Sequence, residues 1–370
     1  MKNKIGFIAV GQAGGNLGLI LEKKGYKVLY INTSREDLDT LPGAKFKHHI
    51  KDGEGCNKDR NKAKQALIDD FDNISRKIQE GLAAEIIYVV FASGGGTGSG
   101  AGPMLTELLI NDIDAGAINA GAAGVITVLP ALNESIKSQI NAYECLSELV
   151  QIEGLSSTMI LDNNTGDKMA LNHRFINTFT EFLEIPNKHK SERGNIDKAE
   201  IMETLKTFGM LQILQLNSKE SRTDVLLDTL KKSMYPEPEN DGVVKYMTIS
   251  QTGNIDLDLI QREMGIPVDI FQTYNDRTTI AAFAGLTFPK SRLEQIYEKV
   301  VANKDKVLHS LNANTSIEMK SGINFLNSQQ AKPIRRTNAA AGIQTEGTPQ
   351  EIQEKPVMSR RDIMAKYLNK

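Results

Sequence analysis

Apolar positions in the first half of the chain fall in short, unbroken runs rather than in alternation. Ile5–Val10, Lys27–Asn32, Glu85–Ala92, Gly124–Leu129 and Thr158–Leu161 are such runs, and Phe46–Ile50 is a weaker one. Between them lie stretches with helical spacing: Gly11 to about Lys24, Asn57–Gly81, Pro103–Ile113 with proline at its first position, and Asn133–Ile152. A strand that is apolar on both faces must be covered on both faces. The pattern therefore predicts a mostly parallel sheet flanked by helices, an α/β fold of Rossmann type.

The rhythm then changes. Met169 to about Ile185 predicts a long central helix that Pro186 stops, followed by the polar loop Asn187–Gly194 and a new helix near Asp197. Met210–Leu216, Val243–Ser250, Val268–Thr273 and Thr278–Thr287 read as strands. Helices are expected over Glu220–Lys232, Asp256–Met264 and Ser291–Leu311, giving a second, α+β domain. From about Asn327 periodicity is lost, as in a flexible linker. Helical spacing returns at Ser359–Leu368, where Ser359 and Asp362 resemble a capping box and Ile363, Met364, Tyr367 and Leu368 share a face. The expected division is 1–168, 169–208 (central helix, loop and following helix), 209–325 and 326–370.

Composition adds limits. Of 370 residues, 40% are apolar and 24% charged, as in a globular protein. No apolar run approaches the roughly 18 residues of a membrane span. The N-terminal apolar run leads into a glycine turn and reads as a strand, not a signal peptide. Cys56 and Cys145 have no metal-type spacing, so neither a disulfide framework nor a protein-built metal site is expected, and the chain reads as cytoplasmic. A net charge of −2 argues against nonspecific DNA binding by the whole molecule. Beyond position 330, however, eight basic residues face four acids, so this segment is +4 and the rest −6. A separate task for the tail follows.

The strongest chemical signal is Gly94-Gly95-Gly96-Thr97-Gly98-Ser99-Gly100, set between a buried strand and a helix. Five glycines in seven residues let backbone N–H groups turn toward an anion, and the helix N-terminus adds its positive dipole end. Thr97 and Ser99 add hydroxyls. No Gly-Lys-Ser/Thr follows, so this is not a Walker A loop. A second glycine turn, Gly11-Gln12-Ala13-Gly14-Gly15-Asn16, follows the first strand without Rossmann spacing; alone it leaves a nicotinamide or flavin cofactor open.

With these residues in place the chain resembles the tubulin/FtsZ superfamily, whose signature Gly94–Gly100 matches in the tubulin spelling. The motifs cover residues 1–215, and the domain order extends to about 325. The resemblance implies a GTP/GDP site with Mg²⁺ at the carboxyl ends of the strands. Gly11 to Asn16 resemble the first nucleotide loop and Asn32 opens the second. Gly53, Gly55 and Asn57 belong to the third, which approaches the terminal phosphate. Pro130 and Glu134 resemble the fifth loop, the Glu reaching the ribose. The position of the FtsZ arginine is Ser138 here, leaving its role vacant or with Lys137. Asn163 and Asn172 resemble the two base-reading asparagines, with donor and acceptor to suit guanine. A short helix is missing between them, and no stacking aromatic precedes Asn172.

Asn195-Ile196-Asp197-Lys198-Ala199-Glu200 reads locally as helix capping. The resemblance gives it another task. In the family this loop docks on the nucleotide of a neighbouring subunit, so Asn195, Asp197 and Glu200 are the expected catalytic residues, orienting the attacking water. It implies a GTPase activated by head-to-tail polymerisation. The linker and basic tail resemble the TubZ group of plasmid and phage filaments that segregate DNA. There the tail binds a DNA-binding adaptor, TubR, seated on centromere DNA. An FtsZ-like division or phage-positioning filament, a pseudo-GTPase scaffold, and direct contact of the tail with DNA are the alternatives.

Overall fold

Buried runs become strands because each is covered twice. All six residues of β1 (Ile5–Val10) and of β6 (Ser157–Asp162) are buried, as are the first six of β4 (Ile86–Ala92). The computed structural model describes residues 1–51, 53–313 and 358–368. With β2 (Lys27–Asn32), β3 (Phe46–His49), β5 (Ala122–Leu129), β7 (Gly209–Asn217), β8 (Tyr246–Gln251), β9 (Asp269–Tyr274) and β10 (Thr278–Leu286), these form one sheet. Its order is β3-β2-β1-β4-β5-β6-β7-β10-β8-β9. Pairing is parallel from β3 through β7 and again between β8 and β9; β10 runs antiparallel to β7 and β8. The expected mostly parallel α/β fold is present, and the α+β half extends the same sheet. The join is narrow: β6 and β7 pair only through Ser157–Gly209 and Thr158–Met210.

Helices cover both faces. Phe7 and Tyr88 lie in register on β1 and β4 and point the same way, toward Phe179 of α6 (Lys168–Lys188). Gly18 of α1 (Gly11–Lys23) packs on that face against Tyr30 and Ala9. Phe91, three residues after Tyr88, points to the opposite face. There it meets Gly102 of α4 (Thr97–Asp114), beside which lie α3 (Arg60–Gly81) and α5 (Ile136–Leu149). The remaining helices are α2 (Arg35–Asp39), α7 (Lys198–Lys206), α8 (Thr223–Lys231), α9 (Leu257–Met264), α10 (Lys290–Ala313) and α11 (Arg360–Leu368). No helix among the described residues is long and apolar enough to cross a membrane.

Several boundaries differ from the sequence expectation. The helix expected at Pro103 begins at Thr97, so part of the glycine run is helical. Pro103 has no N–H to give Ser99, four residues back. The Ser99 carbonyl instead accepts from Arg60 Nε and Nη2, at 3.3 and 3.1 Å. Pro186 does not stop α6, which runs on to Lys188. The helix expected from Asn57 starts at Arg60, because Asn57 and Lys58 take left-handed backbone and Asp59 caps it. Val243 lies outside β8. A 3₁₀ turn, Asn163–Thr165, replaces the missing helix before Asp167 caps α6.

The linker expected after Asn327 lies outside the described residues up to 357. The end of the chain is a docked helix. Ile363 and Tyr367 of α11 are buried against α3 and α4, while Leu368, expected on the same face, is exposed. Arg360 pairs with Asp112 at 2.6 Å, and Lys366 with Glu107 at 2.7 Å.

Candidate nucleotide-binding site

The carboxyl ends of β1, β2 and β4 open into a cavity of about 450 Å³. Gly11, Gln12, Ala13 and Asn16 line it from α1. Ser34, Asp37, Glu54, Gly55, Cys56, Asn57 and Lys58 come from the next two loops, and Ala92 and Gly95 to Gly98 from the glycine run. Two helix N-termini meet here. Side chains of Ser34, Asp59, Ser135, Asp167, Asp197 and Asp256 cap α2, α3, α5, α6, α7 and α9. The caps of α1 and α4 are Val10 and Gly96, with no side-chain bond. Their first amide donors face the cavity uncapped, which suits an anion.

The loops touch one another. Gly11 has φ +72°, and a Cβ there would lie 3.2 Å from the Gly98 nitrogen. Thr97 Oγ1 is 2.8 Å from Thr33 Oγ1, whose other neighbour is Cys56 Sγ at 3.3 Å. Buried Thr33 thus joins the second loop, the third loop and the glycine run. It is the middle residue of the Asn32-Thr33-Ser34 turn that resembles the second nucleotide loop. His49 Nε2 closes the third loop, 2.9 Å from the Gly53 carbonyl and 3.3 Å from that of Thr33.

Other expected residues sit around the cavity rather than on its wall. Asn32 donates to Asp37 Oδ2 at 3.2 Å and accepts from the Ser34 amide, fixing the turn into α2. Gly14, Gly15, Gly53 and Gly100 are packing positions: an added Cβ would lie 2.3 Å from Val90 O, 2.7 Å from Leu41, 2.6 Å from Thr33 O and 2.4 Å from Arg60 O. Gly94 packs against Ser138 and Pro130. Ser99 turns its hydroxyl back to Gly95 O at 2.5 Å.

Glu134 accepts from the Ala131 amide at 3.1 Å and pairs with Lys168 at 2.8 Å. Burial raises its pKa, but Lys168, that amide and Asn163 outweigh it and hold the carboxyl below its usual range. Glu134 and Asn163 thus lie together, and Lys168 ties them to the first turn of α6; Asn172, a turn further along that helix, is half-buried. Lys137 is exposed, and it is the Lys58 ammonium that reaches Ser138 Oγ, at 2.7 Å.

A buried charge cluster underlies the glycine run. Arg60 binds Ser99 O, Glu144 at 2.9 Å and Glu148, and Lys64 binds Glu148 at 2.7 Å. Burial opposes the Arg60 charge, yet the two glutamates outweigh it and raise its pKa.

The acidic loop lies at the other end of α6. Twenty-one residues at about 1.5 Å each separate the two ends by roughly 30 Å. Asn195 clasps its own loop, accepting from the Ser191 amide and donating to the Ser191 carbonyl, both at 3.0 Å. Asp197 Oδ1 accepts from the amides of Ala199 and Glu200, and Glu200 Oε2 accepts from the Asp197 amide at 2.7 Å: a capping box. Asp197 is exposed and Glu200 half-buried. An open hollow of about 640 Å³, bordered by Pro186, Asn195 and Asp197, fronts the loop.

Residues 4–169 match the model of the Tubulin/FtsZ family, GTPase domain. The tubulin-like protein TubZ of Clostridium botulinum C phage is 32% identical over 313 residues, 83% of this chain and 85% of that one. The crystal structure of Clostridium botulinum phage c-st TubZ superposes with a TM-score of 0.74 at 29% identity, covering 83% of this chain and all of that one. A GTPγS-form protofilament of Bacillus thuringiensis serovar israelensis TubZ shares the fold at TM-score 0.68 and 15% identity, over 84% and 94% of the two chains. Glycine loops, sheet order and these likenesses agree: the chain belongs to the tubulin/FtsZ family of GTPases and is TubZ-like.

Proposed function

We propose that this protein binds GTP in the cavity at the ends of β1, β2 and β4, polymerises head to tail, and hydrolyses GTP where two copies meet. The observation that carries the reading is the distance between two half-sites. The uncapped amides of α1 and α4 offer a seat for phosphates, and the Asp197 and Glu200 carboxylates lie about 30 Å away along α6. One chain cannot bring them together, whereas a neighbour stacked along α6 can. The relatives fit, since one TubZ is described as a protofilament in its GTPγS form.

Phosphoryl transfer asks mainly for positioning and for neutralisation of charge. The backbone amides and Thr97 would hold the phosphates, and Glu134, Asn163 and Asn172 the ribose and guanine. From the neighbouring copy, Asp197 and Glu200 would orient the attacking water while Asn195 keeps the loop in shape. Mg²⁺ takes most of its ligands from phosphates and water, so a few oxygen donors from the protein suffice. Thr97, Asp37 and Glu54 are among the side-chain oxygens that line the cavity. Bound there, the ion would neutralise phosphate charge.

The finer role proposed is segregation of plasmid or prophage DNA in a bacterial cytoplasm, the tail engaging a TubR-like adaptor on centromere DNA. Arg360 and Lys366 are already paired with Asp112 and Glu107, which favours a protein partner over direct phosphate contact by the tail. Light scattering and phosphate release test the core reading. Both should rise with GTP and Mg²⁺, release should climb with protein concentration, and NAD should do neither. Phosphate release that is the same per molecule at every concentration removes the shared site.

A further inference from the structure

The groove between α3 and α4 is matched to a basic helix. α11 lays Ile363 and Tyr367 into it, and both are buried. Its cations meet acids on the groove walls: Arg360 meets Asp112 and Asp72, and Lys366 meets Glu107. Asp112 is 1% exposed, and Arg360, at 2.6 Å, is the one cation paired with it among the described residues. The Phe71 ring lies 5.4 Å from the Arg360 guanidinium, and Asn111 Nδ2 donates to the Met358 carbonyl at 2.6 Å, gripping the segment where it enters.

The far end of α11 touches the charge cluster beneath the glycine run. Lys64 Nζ donates to the Tyr367 carbonyl at 3.2 Å and lies 5.4 Å from the centre of the Tyr367 ring. The same ammonium pairs with Glu148 at 2.7 Å, and Glu148 also accepts from Arg60 Nη2. Arg60, one turn before Lys64 on α3, holds the Ser99 carbonyl that Pro103 leaves without a helical donor. Tyr367, Lys64, Glu148, Arg60 and Ser99 thus form one continuous series of contacts. If α11 leaves, Lys64 loses an acceptor and its aromatic cover. Water then weakens the Lys64–Glu148 pair, and Glu148, held from one side only, orients Arg60 less well.

We propose that the α3–α4 groove is the receptor for this chain's own C-terminal helix and that docking there strengthens nucleotide binding, so that a protein partner which takes the tail by its docked face loosens the nucleotide. The proposal rests on the nucleotide reading above. The apolar residues and paired cations that make α11 recognisable are the ones already committed to the groove, so docking and capture by that face exclude each other. The coupling is reciprocal: bound nucleotide must strengthen docking by the factor by which docking strengthens nucleotide binding.

The test uses the full-length chain and fluorescent GDP. Arg360→Glu combined with Lys366→Glu sets acids against Asp112 and Glu107. A nine-residue helix is marginal on its own, so hydrogen exchange over 360–368 reads docking. The double variant should lose protection there, keep it in the sheet, and bind GDP about fivefold more weakly. Arg360→Lys combined with Lys366→Arg should restore both. In the wild type, saturating GDP should raise protection over 360–368, which a tail with no link to the nucleotide would not show. Undocking without a change in GDP affinity, or protection that ignores GDP, overturns the coupling. Equal protection over 360–368 in wild type and the double glutamate variant overturns the receptor. A wild-type chain that binds neither GTP nor GDP overturns the nucleotide reading and the coupling with it, and the exchange comparison then judges the receptor alone.

Discussion

Asp197 and Glu200 serve the fold through one face and face solvent with the other, so substitutions can separate the two uses. Glutamine fills the last position of a capping box as glutamate does. Glu200→Gln should therefore keep the melting temperature while slowing GTP-dependent phosphate release at least tenfold. Glu200→Ala should slow release equally and also cost about 1 kcal/mol of stability through the lost cap. Paired melts and phosphate assays check this; unchanged release in both variants removes Glu200 from hydrolysis. Residues of this kind were visible in the sequence because their spacing is local. Lys58 was not, since its surroundings include Ser138, far along the chain.

At the scale of elements, α6 links the two half-sites and ends on a titrating contact. His189 Nδ1 lies 2.7 Å from Ser250 Oγ, and burial pushes its pKa below the ordinary value. A histidine held neutral in the fold but free to protonate when unfolded makes stability fall as pH drops through about 6.5. The stability gap between wild type and His189→Gln should then narrow from pH 7 to pH 5, read as melting temperature at each pH. A gap that stays constant shows the group does not contribute through titration. The docked helix α11 gives a second expectation. Tyr367 is buried, and its carbonyl accepts from Lys64 Nζ at 3.2 Å. Tyr367→Ala should remove about 3 kcal/mol of docking energy. Hydrogen exchange should then lose protection over 360–368 while the sheet keeps its own. The helical spacing of this segment was legible in the sequence. Its docking was not, because the complementary groove is made by α3 and α4.

At the scale of the molecule, β6 and β7 share only two residue pairs, and a buried ion pair reinforces the join between the halves. Arg292 of α10 donates to Asp162 Oδ2 at 2.6 Å and to the Pro130 carbonyl at 3.0 Å, tying the C-terminal half to the loops beside the cavity. Arg292→Met leaves a buried carboxylate unpaired and should cost about 3–5 kcal/mol. Adding Asp162→Asn should recover part of that loss, measured by denaturant titration. If the double variant is no better than the single, the cost lies in packing rather than charge.

The sequence by itself determined the elements, the order of the strands along the chain, the glycine run and the acidic loop. These follow from hydrophobic period, turn residues and spacing, all of which act between near neighbours. Only the tertiary structure decided that two uncapped helix ends share one cavity, that Lys58 enters it, that Arg292 secures the second half, and that the terminal helix is covered. Each of those depends on contacts between residues distant in sequence, where the gain comes from burial and charge pairing that exist only once the chain has closed on itself.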